Sequence, residues 1–239
     1  MKKARTRFTS DKFHRFRVEI KKLNAFLNLI SFCSDDFKRK KTFKPFKKLF
    51  RQAGKVRELQ LEKKILKKYQ VDNLLMDYSE TLDRLRVVEK ETFFSMLKRN
   101  TASRLKKKFQ VIVPYVSRID GINSSEYLTE YKCLFDELQT HQAFKPHQIH
   151  QIRKWLKELR YGCKILSIKP QNIPVLNKSC LSALLGKWHD YEIIINHLKF
   201  MIQNGKVNSR ELDCLEDIIQ KLSSDRETLF CNIQADLAT

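Results

Sequence analysis

With 239 residues, 42% of them apolar, the chain is long enough for one large domain or two small ones around a real core, which excludes wholesale disorder. Its 48 Lys and Arg against 27 Asp and Glu give a net charge of +21, far beyond what solubility requires, so a polyanionic partner is expected: nucleic acid, an acidic membrane or polyphosphate. Five glycines and five prolines leave little room for tight turns and favour long helices.

The charge is uneven: residues 1–70 hold 23 Lys and Arg but only 6 Asp and Glu. Met1 to Lys12 is basic without the apolar stretch that follows in a signal peptide, and no segment has 18 uninterrupted apolar residues, so neither export nor a membrane span is expected. Cys33, Cys133, Cys163, Cys180, Cys214 and Cys231 are scattered without CxxC pairs, which argues against a zinc ribbon or a short disulfide scaffold. A reducing cytoplasm is the expected location.

Apolar residues recur at helical spacing and predict helices near 11–33, 43–69, 74–118, 125–142, 147–168, 174–203 and 208–236. No strand alternation appears, so the fold class is all-α. Turn-forming residues place breaks at Ser34-Asp35-Asp36, Asp120-Gly121-Ile122-Asn123, Lys145-Pro146, Pro170 to Pro174 and Asn204-Gly205. In the second helix Lys44, Lys47, Lys48, Arg51 and Lys55 form one basic face, whereas Arg57 lies with Phe46, Phe50 and Ala53 and is expected to point into a seam between helices. The runs Lys38 to Lys41 and Lys106 to Lys108 read as solvated faces. Phe13, Phe43, Phe46, Phe50, Phe93, Phe94 and Phe109 read as core packing and not as a base-stacking platform.

The informative feature is an internal repeat. HRFRVEIKKLNAFLNLI, residues 14–30, aligns with HQIRKWLKELRYGCKIL, residues 150–166: His14 with His150, Arg17 with Arg153, Lys21 with Lys157. Phe16, Ile20, Leu23, Leu27 and Ile30 pair with Ile152, Leu156, Leu159, Cys163 and Leu166. A second pair follows, AGKVRELQLEKKIL from Ala53 and LGKWHDYEIIINHL from Leu185, matching Gly54 to Gly186 and Glu58 to Asp190. His189 falls where Arg57 stands in the first half. The order and spacing are kept, with offsets of 136 and 132 residues, so duplication is the better account. At about 100° per residue, His, Arg and Lys at i, i+3 and i+7 fall within a wedge of roughly 60° opposite the shared apolar positions, and Arg160 widens it only slightly.

These residues resemble the CHAD family, the helical domain named for its histidines, whose pattern runs His-x-x-Arg-x-x-x-Lys in each half and often Arg-Tyr after the second, here Arg160-Tyr161. The later Leu-Gly followed by Arg-Asp or Asn-Asp looks like Gly54 to Glu58 and Leu185 to Asp190, with Glu58 for Asp, Ala53 for Leu and His189 for Asn. The resemblance spans about residues 10–200. It implies two pseudo-symmetric antiparallel helical bundles, a basic central channel or groove, and binding of inorganic polyphosphate. The chain then reads as a single domain over 1–239, with one half at about 10–143 and the other at about 146–237.

The expected polyphosphate-binding residues are His14, Arg17, Lys21, Lys48, Arg51, Arg57, His150, Arg153, Lys157 and Arg160. Arginine grips phosphate oxygens in a fork, lysine acts as a compact charge, and histidine protonated beside a polyanion donates N–H groups, so acid should strengthen binding. His147 and His150 at i, i+3 could share a metal, but there is no HExxH and no carboxylate at a telling spacing, and the basic surroundings repel a cation, so no metal or cofactor is expected. His141 and His197 read as surface or packing residues. There is no Gly-rich phosphate loop, no GxSxG and no carboxylate cluster for magnesium, so binding is expected and catalysis is not. The rivals are a nucleic-acid-binding helical protein, since counterion release rewards the same charge, and a scaffold docking to polyphosphate granules or an acidic protein.

Overall fold

The computed structural model describes residues 9–69, 74–97, 99–139, 144–169, 173, 176 and 178–238. Among them are eight helices and no strand: α1 (Ser10–Cys33), α2 (Arg39–Lys68), α3 (Met76–Met96), α4 (Arg99–Val116), α5 (Gly121–Gln139), α6 (Pro146–Ile165), α7 (Ser179–Gln203) and α8 (Ser209–Ala238). The expected helix over 74–118 is divided, with Leu97 closing α3 through its N–H to the Phe94 carbonyl at 3.1 Å. A straight helix of that length would run about 68 Å. Packing explains the reversal. Phe93 and Phe94 close a cluster with Phe13, Leu49, Ala53 and Val56, while Ile112 of α4 must return to Leu27, Ile30 and Phe37.

Two further expectations shift. Residues 121–124 belong to α5 and not to a turn, because Asp120 starts that helix: its Oδ1 accepts the Asn123 N–H at 2.7 Å and its carbonyl accepts the Ser124 N–H. Phe109 is 57% exposed and stands outside the core, because Ile112 takes the inward position of α4. The break expected from Pro170 to Pro174 lies largely outside the described residues, as does His141. At Lys145-Pro146 the break holds: Pro146 opens α6 and the Gln148 side chain accepts the Lys145 N–H at 2.7 Å. Gly205 closes α7 with a positive φ of 61°.

The largest core joins both ends of the sequence. Ile149, Ile152, Leu156 and Leu159 of α6 pack with Trp188, Tyr191 and Ile194 of α7 and with Leu215, Ile218 and Leu222 of α8. Leu59 and Leu66 of α2 and Tyr78 and Leu82 of α3 enter the same cluster. Buried charge ties these elements together. Glu62 is 1% exposed and accepts the Tyr78 O–H at 2.5 Å, while His197 Nδ1 approaches its other oxygen at 2.5 Å, so the expectation that His197 is a packing residue understates its role. Glu211, at the start of α8, accepts the backbone N–H groups of Asp77 and Tyr78 at 2.9 and 3.0 Å and so completes the α3 N-terminus.

The functional consequence lies in the centre. α1 packs on α2, α5 and α6; α6 packs on α1, α5 and α7; and α2 also touches α7. The two copies of the repeated motif are therefore neighbours, each with its apolar stripe buried or half-buried.

Candidate anion-binding site

The site is built where α1 meets α6. Leu27 and Ile30 turn inward on α1, and Ile152, Leu156 and Leu159 do so on α6, which leaves the polar wedges of the two helices facing a shared region. Arg17, Lys21, Arg153 and Lys157 are all half-buried there and feel one another's charge. Burial, with Arg17 and Arg153 beside it, pulls the Lys21 ammonium down to about 8. Burial, with Lys21 and Arg153 beside it, pulls Lys157 down to about 7. Asp190 of α7 opposes both effects. Its own carboxyl is raised by burial despite Arg153, Lys157, Arg57 and Lys21 nearby.

Arg57 belongs to this group as expected for a seam residue: it is half-buried, and its charge reaches His14, Arg17 and Asp190. Of the two motif histidines, His14 is exposed and His150 half-buried, and neither lines the cavity beside this cluster. Burial, then Arg57 and Lys21, lowers His14; burial, then Lys154 and Arg153, lowers His150. His150 packs against His189 with ring centroids 4.9 Å apart, and burial beside Arg153 drives His189 down to about 3.

A cavity of about 680 Å³ opens beside this cluster, lined by Lys21, Arg153, Lys154 and Lys157 and, from the α2 side, by Arg39, Lys40, Lys44 and Lys47. Lys48, Arg51 and Arg160 are exposed and do not line it. Lys55 turns away to Glu89 of α3 at 3.4 Å. Five lining cations, Arg39, Lys40, Lys44, Lys47 and Lys154, were not among the expected binding residues. Lys44 and Lys47 shared a helix face with Lys48 and Arg51, and helical spacing alone does not say which edge of that face meets α6. Arg39 and Lys40 fall in a run read as solvated. Arg39 is half-buried and donates to Asn24 Oδ1 at 2.9 Å, a contact between residues 15 apart that no local spacing reveals.

Arg17 is held more closely than its repeat partner. Its Nη1 donates to the Phe50 carbonyl at 3.0 Å and its guanidinium lies 4.3 Å from the centre of the Phe50 ring. A Cβ on Gly54 would overlap that Nη1, so this glycine is there for the arginine's close approach. Nothing lies within 4 Å of the corresponding position at Gly186.

The model of the CHAD domain matches residues 2–199. The chain is a member of the CHAD domain family. Among curated proteins and among solved structures, nothing matches it. The matched segment takes in α1 through most of α7, and so every CHAD motif residue placed above. No helix among the described residues is long and apolar enough to cross a membrane.

Proposed function

We propose that this CHAD domain binds inorganic polyphosphate, without catalysis, in the groove between α1 and α6. One observation carries the reading: four half-buried cations, two from each copy of the motif, gather about Asp190, and burial together with their mutual repulsion depresses both lysines despite that carboxylate. A cluster with that much uncompensated positive charge suits an anion that supplies the missing negative charge. Polyphosphate fits the chemistry, since each link presents oxygens to Arg forks and Lys charges and has no base to be read. Lys44 and Lys47 extend the track beyond the buried cluster, as a polymeric ligand requires. Binding of this kind would also carry the chain to polyphosphate granules. The nearby carboxylates, Asp190 and Glu58, are themselves among cations, which suits charge balance better than holding a catalytic magnesium.

Calorimetric titration with long-chain polyphosphate at about 150 mM salt tests this. Saturable binding should weaken at least about 10-fold in Lys21→Ala/Lys157→Ala, with a much smaller loss in Lys48→Ala/Arg51→Ala. Equal losses in the two pairs, or displacement by tRNA at equal phosphate concentration, would mean general attraction of phosphate backbones and favour nucleic acid.

A further inference from the structure

The sequence pattern assigns Phe109 to the core and the neighbouring lysines to a solvated face, yet Phe109, Lys106 and Lys107 all stand on the outer surface of α4. Leu105, Ile112 and Tyr115 are the residues of α4 that turn inward. Ile112 and Tyr115 pack with Leu27, Ile30 and Phe37, and Leu105 reaches the cluster around Phe13. That arc is narrow. At about 100° per residue, Phe109, Val113 and Val116 lie roughly 40–100° around the helix from Ile112. They form an i, i+4, i+7 stripe that the protein leaves uncovered: Phe109 is 57%, Val113 56% and Val116 45% exposed.

The charge around this stripe has one sign. Residues 97–118 hold seven Lys and Arg and no Asp or Glu, and Arg118 alone is offset, by Asp36 at 2.7 Å. Lys106 borders the stripe beyond Val113, Lys107 follows further round, and both are exposed. A phosphate chain or a nucleic-acid backbone would use these charges and leave the apolar stripe in water. A bilayer with anionic headgroups uses both: the lysines meet phosphates at the surface while Phe109, Val113 and Val116 enter the acyl boundary. A protein partner would have to bring a groove of matching shape as well as acids, whereas lipid conforms to the convex side of a helix.

We propose that α4 docks this protein on an anionic lipid surface, lying in the plane of the interface with Phe109, Val113 and Val116 inserted and Lys106 and Lys107 on headgroup phosphates. Three apolar side chains make a short stripe, so neither they nor the lysines hold the surface alone and the docking is reversible. It is independent of the polyphosphate reading, since the basic cavity between α1, α2 and α6 takes no lining residue from α4.

Co-sedimentation of the full chain with vesicles at about 150 mM salt tests this. Vesicles of phosphatidylglycerol and phosphatidylcholine in equal parts should carry the protein down, and phosphatidylcholine alone should not. Phe109→Ser/Val113→Ser and Lys106→Gln/Lys107→Gln should each weaken partitioning at least about 10-fold. Lys64→Gln/Lys67→Gln, which removes the same charge from exposed positions at the C-terminal end of α2, should change it far less. Should circular dichroism show that the serine pair disturbs the helices, Phe109→Trp decides: brominated acyl chains should quench it beyond what the chain's own two tryptophans show. No sedimentation with the anionic vesicles, or a concentration-dependent dimer that the serine pair abolishes in its place, would overturn the proposal. So would equal losses in the two lysine pairs with no added quenching at position 109, which would reduce the binding to general attraction of a chain of charge +21.

Discussion

The two copies of the motif spend the same arginine differently. Arg17 is fastened: its Nη1 donates to the Phe50 carbonyl, its guanidinium carbon lies over the Phe50 ring, and Gly54 clears the space it occupies. Arg153 sits among the same cations, yet its Nε is buried without a hydrogen-bond partner and Gly186 has open space before it. The two motifs carry the same arginine among different neighbours: one is tied to the fold, and the other has a buried nitrogen without a partner. A repeated residue therefore need not carry a repeated role.

Replacing each arginine breaks that contrast with the largest effect. Arg153→Ala should weaken polyphosphate about 10- to 100-fold and leave the midpoint of thermal unfolding nearly unchanged. Arg17→Ala removes a charged hydrogen bond and a ring contact and should lower stability by about 2 kcal/mol, read by urea unfolding. If both variants lose stability equally, the two arginines are structural twins and the contrast fails.

The glycines sharpen it with a smaller effect. Alanine in a helix is favoured over glycine by about 1 kcal/mol, so Gly186→Ala, into open space, should stabilise by roughly that amount. At Gly54 the added Cβ displaces Arg17, and the lost contacts should cancel the gain. A matched gain in both variants, measured as equal shifts in unfolding midpoint, would show that Arg17 moves aside without cost.

Most of the fold was legible because helical periodicity repeats over long segments: six of the expected helices appear, shifted at their ends, and the seventh is divided at Leu97. That division was hidden because it depends on where Ile112 must pack, and the Asp120 cap because turn residues and cap residues are the same types. The motif cations Arg17, Lys21, Arg153 and Lys157 were legible from the repeat, since identical polar positions on identical apolar backing define one wedge. Arg39, Lys44 and Lys47 were not, because which edge of α2 faces α6 is decided by tertiary packing.

The least of the expected effects separates the two lysines. Lys157 is pulled down to about 7 and Lys21 to about 8, so near neutral pH the second-half lysine is the one more often uncharged. A bound polyanion favours the ammonium form of each, so binding takes up protons, and affinity should fall as pH rises through about 7 to 8. Each lysine can contribute at most about tenfold per pH unit. Calorimetry at pH 7.5 in two buffers of different ionisation enthalpy measures the uptake directly. Lys157→Arg, which keeps its charge at every accessible pH, should remove most of it, and Lys21→Arg only the smaller part. Equal reductions in the two variants would place both lysines in the same field, and the asymmetry of the halves would then be confined to their arginines.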